Sequence, residues 1–201
     1  MRLQPLVQHL RGMRKYIVVS ALIFLLGVVL GSMNLFQGVM QSTLAEMGDL
    51  TEAAGHWPNY DWGLFSMLML NNASALLFAL YGGAFFGLLP VYFLILNGMV
   101  VGYMGVQEAS QGTLGTYVLS ILPNGLFEWT AIILASAYGI RFGFLLLDGL
   151  ISLPSPKGRA RVKAGFLAYF RMLFPLMGLL LLLLLVAAGL EVFVSPWIFP
   201  A

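Results

Sequence analysis

Few side chains in this sequence could do chemistry inside a membrane. Asn71, Asn72, Asn97, Asn124 and Glu128 are the polar residues that interrupt its long apolar runs. Intramembrane ionisable groups are costly and point to function by default. A carboxyl group there could carry a proton or cation, or hold a polar substrate, and amides could line the same route. Glu128 stands next to a helix-breaking triplet, Pro123, Asn124 and Gly125, in "ILPNGLFEWTAIILASAYGIRFG". That neighbourhood gives a second reading. If Gly125 were an N-cap, Glu128 would fall at N3, where a carboxylate reaches back to the cap N–H and suits the positive helix end. The two readings stay open. The ordinary use of a membrane Asn is an interhelical hydrogen bond.

Familiar catalytic patterns are missing from the sequence. It has no H-E-x-x-H, no G-x-S-x-G, no Walker loop and no Cys, so no enzyme activity and no cofactor are expected. His9 and His56 are its only histidines and fall on opposite sides of the expected membrane. His56 with Glu52 and Asp61 reads as a solvated loop, because ligands at such spacing are not specific for a metal.

The elements that must position the polar residues follow from composition. The chain has 201 residues, of which 60% are hydrophobic and 9% charged, against about a quarter charged in soluble domains. This describes an all-α, polytopic membrane helix bundle, read as one membrane domain over 1–201. Nine of the ten Lys and Arg residues fall in two blocks. One holds Arg2, Arg11, Arg14 and Lys15; the other holds Lys157, Arg159, Arg161, Lys163 and Arg171. By the positive-inside rule both face the cytoplasm, giving a cytoplasmic N-terminus and an extracytoplasmic C-terminus. The first apolar run ends without a small-x-small cleavage site, so it reads as a retained helix.

Residues 16–33, 63–81 and 84–106 each suit one crossing of about 20 residues, with a tight turn at Gly82 and Gly83. Residues 34–62 form an extracytoplasmic segment with acids and no Lys or Arg, in which an interfacial helix fits and Trp57, Tyr60 and Trp62 read as anchors. Residues 114–147 are too long for one untilted crossing and too short for three. The Pro123 break suggests a solution: a re-entrant half-helix at 114–123, then a crossing over 126–147. Five crossings plus one half-helix result, the last crossing spanning 172–190.

Residues 154–171 interleave bases with Val162, Phe166, Leu167, Tyr169 and Phe170. This basic segment is either an amphipathic helix contacting anionic lipid headgroups on the inner surface or a solvated loop that fixes topology. Arg141 reads as a snorkelling residue near the cytoplasmic end, with Asp148 nearby. Glycine pairs at i, i+4 (Gly27/Gly31, Gly83/Gly87, Gly98/Gly102 and Gly139/Gly143) allow close helix packing without naming a dimer face.

The stretch "NNASALLFALYGGAFFGLLPVYFLILNGMVVGYMG" followed by "LPNGLFEWTAIILASAYGIRFG" resembles the stage II sporulation protein M family. Members share an Asn, an Asn-Gly, and a His-Gly-x-x-Glu followed by an Ala- and Gly-rich helix. Here these are Asn71 or Asn72, Asn97-Gly98, and Asn124-Gly125 with Glu128, Asn124 standing where the family has His. The resemblance implies a widely distributed bacterial and archaeal membrane protein. Its sporulating members act in an engulfment complex with peptidoglycan-degrading partners. The expected function is therefore a non-enzymatic scaffold or anchor for a membrane or cell-envelope complex. A small oligomeric channel or transporter around Glu128 is the alternative. The expected partners are the lipid bilayer, anionic headgroups, envelope proteins and copies of the chain itself; no nucleic acid is expected.

Overall fold

The computed structural model describes residues 4–34, 36–54 and 60–198. Its described secondary structure is helical: α1 (Gln4–Gly12), α2 (Arg14–Ser32), α3 (Gln37–Ala54), α4 (Tyr60–Tyr81), a 3₁₀ turn (Gly82–Ala84), α5 (Leu88–Ser110), α6 (Leu114–Ser152), α7 (Pro156–Gly189), a π-helical turn (Leu190–Val194) and α8 (Ser195–Ile198). Five of these segments are long and apolar enough to cross a membrane: Arg14–Ser32, Asp61–Ala84, Leu88–Ser110, Leu114–Ser152 and Pro156–Val194. Their outward faces carry exposed Leu22, Leu25, Val29, Phe78, Phe174 and Leu182. Such faces are at home against lipid tails and not in water.

The glycine pairs explain how the bundle closes. Gly27 and Gly31 of α2 lie on Gly98 and Gly102 of α5. A Cβ at Gly98 would strike the Phe24 carbonyl, and one at Gly102 the Val28 carbonyl. Gly83 and Gly87 meet Gly139 and Gly143 of α6 in the same way, with Gly83 against the Gly139 carbonyl and Gly143 against the Gly87 backbone. Without a hydrophobic driving force inside lipid, backbone-close contacts of this kind supply the packing energy. All four pairs are therefore used within one chain.

The half-helix expected at 114–123 does not form. α6 runs unbroken from Leu114 to Ser152 with Pro123 inside it. Pro removes one helical N–H and crowds the carbonyl four residues back, but neighbouring helices can re-satisfy such a site in a membrane helix. The length problem is solved differently. A 39-residue helix rises about 58 Å, so it crosses a core of about 30 Å and projects beyond it. The turn between α4 and α5 is also displaced: Gly82 and Gly83 are helical, and the reversal comes at Phe86 and Gly87, both with positive φ.

The basic segment 154–171 is neither a separate surface helix nor a loop. It is the first half of α7, continuous with the last crossing. Ser155 caps it, its Oγ accepting from Gly158 N at 3.2 Å, and Pro156 occupies the first turn, both favourable at a helix start. The core lies where α6 and α7 meet. Tyr138 is fully buried there, and its hydroxyl donates to the Tyr169 carbonyl at 2.7 Å.

Candidate functional site

The five polar membrane residues come together. Asn71 and Asn72 of α4, Asn97 of α5, and Asn124 and Glu128 of α6 line one cavity of about 580 Å³, with Thr43 and Glu46 of α3 at its wall. On α6 the lining residues are Tyr117, Ile121, Asn124, Gly125, Glu128, Trp129 and Ile132. That is one face of a helix, repeating at three and four residues. Continuity of α6 through Pro123 is what keeps Tyr117 and Glu128 in register on that face.

Gly125 has a different role from the one its neighbours suggested. It is buried, and a Cβ there would lie 2.9 Å from the Trp129 ring. The glycine seats Trp129, which leans in turn on Phe24 at 5.9 Å between ring centroids. Glu128 follows an uninterrupted helix, so it caps nothing. Its half-buried carboxyl group faces the cavity.

Glu191 was not among the expected site residues. It occupies the π-helical turn after α7 and lines the same cavity. Its Oε2 accepts from Asn124 Nδ2 at 3.1 Å, so one amide does make the expected bond between helices. The opposite side of that amide, Asn124 Oδ1, is buried without a partner among the described residues. Asn97 instead donates back to the Phe93 carbonyl of its own helix at 2.8 Å. Glu191 and Glu128 line the same cavity. The sequence signal for Glu191 was available: an acid within "AAGLEVFV", directly after an apolar run. The extra residue per turn of a π-bulge rotates the residues after it relative to an ideal helix, and such bulges are frequent at functional sites.

No Lys, Arg or His belongs to the described lining of the cavity, whereas Glu46, Glu128 and Glu191 do. Among the described residues, no three His, Cys, Asp or Glu side chains come together as a metal-binding group. The arrangement offers carboxylate and amide oxygens to a small cation. His56 and Trp57 lie outside the described residues, as does the side chain of Tyr60. Trp62 is exposed and packs against Phe193, their ring centroids 5.1 Å apart and tilted by 57°.

The basic residues divide into separate roles. Arg161 pairs with Asp148 at 2.6 Å. Arg141, expected near Asp148, instead has Nη1 3.1 Å from His9 Nε2. An Arg can only donate, so His9 accepts there and carries its proton on Nδ1. Burial, and then the Arg141 charge, hold the His9 pKa below its ordinary value of 6.5.

This fold and site define a class: a multi-pass helical membrane protein with an acidic, amide-lined interior cavity. The chain belongs to the stage II sporulation protein M family, which matches residues 20–196. That span includes every helix lining the cavity. The chain is also 23% identical over 181 residues to an uncharacterized protein of Methanocaldococcus jannaschii, covering 90% of this chain and 93% of that one. No solved structure matches it.

Proposed function

We propose that this member of the family is a non-enzymatic membrane protein that admits a small monovalent cation to its interior, as part of a channel or transporter. The observation that supports this reading is the cavity, in which Glu128, Glu191 and four Asn side chains meet without a basic residue in the described lining. Two carboxylates lining one low-dielectric cavity repel one another when both are ionised. A cation or a shared proton between them relieves that repulsion. A purely structural Glu128 would be bonded into a helix end, and α6 has no end there.

The test is flux in proteoliposomes holding the full chain, with potassium, sodium and protons read by separate dyes. The expected result is flux above that of empty liposomes for one of these ions, falling about tenfold or more in Glu128→Gln. The reading is overturned if the wild-type chain carries none of them, or if the substitution leaves flux unchanged.

A scaffold for an envelope complex is the second reading. Family membership supports it, as does an α3 that carries Glu46, Asp49 and Glu52 without a base. On this account the cavity walls would hold α3 in position for an envelope protein. Recovery of the same partner by crosslinking in wild type and Glu128→Gln, with no flux in either, would favour it.

A further inference from the structure

The α4–α5 turn stops short of the end of the bundle. Its Gly83 and Gly87 pack at the level of Gly139 and Gly143 of α6, and α6 continues to Ser152, nine residues or about 13 Å farther. The α6–α7 hairpin thus overhangs the turn. Under the overhang is an apolar groove of about 610 Å³. Phe86 of the turn and Leu146 and Leu150 of α6 form its walls, together with Val162 and Phe166 of α7.

Two cations line this groove, Arg159 near the α6–α7 connection and Lys163 one turn farther along α7. They stand four residues apart, so they share a face of α7, with Val162 beside Lys163 and Phe166 the next lining residue along the helix. Arg159 Nη1 donates to the Leu153 carbonyl at 2.7 Å. The rest of its guanidinium and the Lys163 ammonium have no hydrogen-bond partner among the described residues. The other bases are arranged differently: Arg161 is neutralised by Asp148, while Lys157 and Arg171 do not line the groove.

We propose that this groove is a specific binding site for a phosphate-headed anionic lipid. Its phosphate sits between Arg159 and Lys163, and one of its chains lies along Leu150, Leu146, Phe166 and Phe86. The sequence of polarity along the groove supports this occupant over an apolar protein segment. Both charges lie on the early turns of α7, and the lining farthest along the groove from the α6–α7 connection, Phe166, Leu146 and Phe86, is apolar. A lipid at the membrane interface has that same order. Basic pockets between membrane helices are a known way of holding anionic headgroups.

Native mass spectrometry of the full chain in detergent tests this, with phosphatidylglycerol and phosphatidylcholine as competing probes. The wild-type chain is expected to retain phosphatidylglycerol in preference to phosphatidylcholine by about tenfold or more, since both bases attract an anionic headgroup. The Arg159→Gln/Lys163→Gln double variant should lose the preference, and Lys157→Gln/Arg171→Gln should keep it. Gly149→Trp, which fills the groove and keeps both bases, should lower retention of either lipid. Lys163→Gln alone leaves the Arg159 bond to the Leu153 carbonyl intact and should weaken the preference without disturbing the hairpin. Equal loss in the two double variants would overturn the site in favour of diffuse surface charge. Displacement of the lipid by glycerol phosphate at equal concentration would overturn it in favour of a pocket that binds the anion alone.

Discussion

At the scale of single residues, the cavity rests on Asn124 as much as on Glu128. Its amide nitrogen holds the Glu191 carboxyl group, and leaving a buried acceptor unpaired costs about 1–3 kcal/mol. Asn124→Leu should therefore lower the thermal stability of the purified chain by an amount of that order. Glu128→Gln, which removes charge from the cavity and keeps the shape, should cost little or raise stability. Calorimetry or thermal-shift measurement in detergent checks both. His9 adds a pH dependence outside the crossings. It is neutral when docked and accepts from Arg141, with Tyr138 packed on its ring. Its pKa is lowered by docking, so the undocked state binds more protons as pH falls through 6.5. Docking of α1 is then insensitive to pH above that value and weakens progressively below it. The hydrogen-exchange protection of residues 4–12, taken relative to the intrinsic amide rate at each pH, should fall on acidification in the wild type. His9→Gln, which keeps an acceptor but cannot titrate, should abolish the response.

At the scale of elements, α2 and α5 are held together by backbone contact. Gly102→Leu would force its side chain into Val28 and Ser32. Overpacking of this kind typically costs about 1–3 kcal/mol, and here the obstacle is backbone that cannot rotate away. A large fall in melting temperature is expected, against little change for Gly178→Leu, which has open space around it. Pro123 supplies the contrasting case. Since α6 is continuous, Pro123→Ala restores a helical N–H and should leave topology unchanged with equal or greater stability. The expected half-helix fails because Pro, Asn and Gly act as breakers only through local propensity, and α6 runs through them. What decides the outcome is the tertiary setting: α6 is long enough to project past the lipid, so the chain need not fold back. The glycine pairs were visible in the sequence, but spacing does not say whether the partner stripe belongs to the same chain.

At the scale of the whole molecule, the described bundle has five helices long and apolar enough to cross a membrane, and five single crossings would leave its two ends on opposite sides. The basic residues around α1, the start of α2 and the α6–α7 hairpin collect at one end, and α3 with its acids lies toward the other. The positive-inside rule then predicts a cytoplasmic hairpin. The chain has no Cys, so single-Cys labelling reads this directly. Ser155→Cys and Gly12→Cys should react from the cytoplasmic side, and Gln111→Cys from the outside. Gln111 reacting from the same side as Ser155 would reverse the count of crossings.

The class of protein, the crossings and the polar residues were determined by the sequence alone, because lipid imposes a length and an apolar composition that few other environments impose. Asn71, Asn72, Asn97, Asn124 and Glu128 were conspicuous for the same reason. Only the tertiary structure decided that they share one cavity, that Glu191 joins them through a π-helical turn, and that Pro123 does not break α6. It also separated Arg159 and Lys163 from Arg161, which composition had grouped as a single basic block. Those outcomes depend on which faces of long helices meet. That is set by close contacts between glycines far apart in the chain, such as Gly83 with Gly139, and no local pattern encodes the pairing.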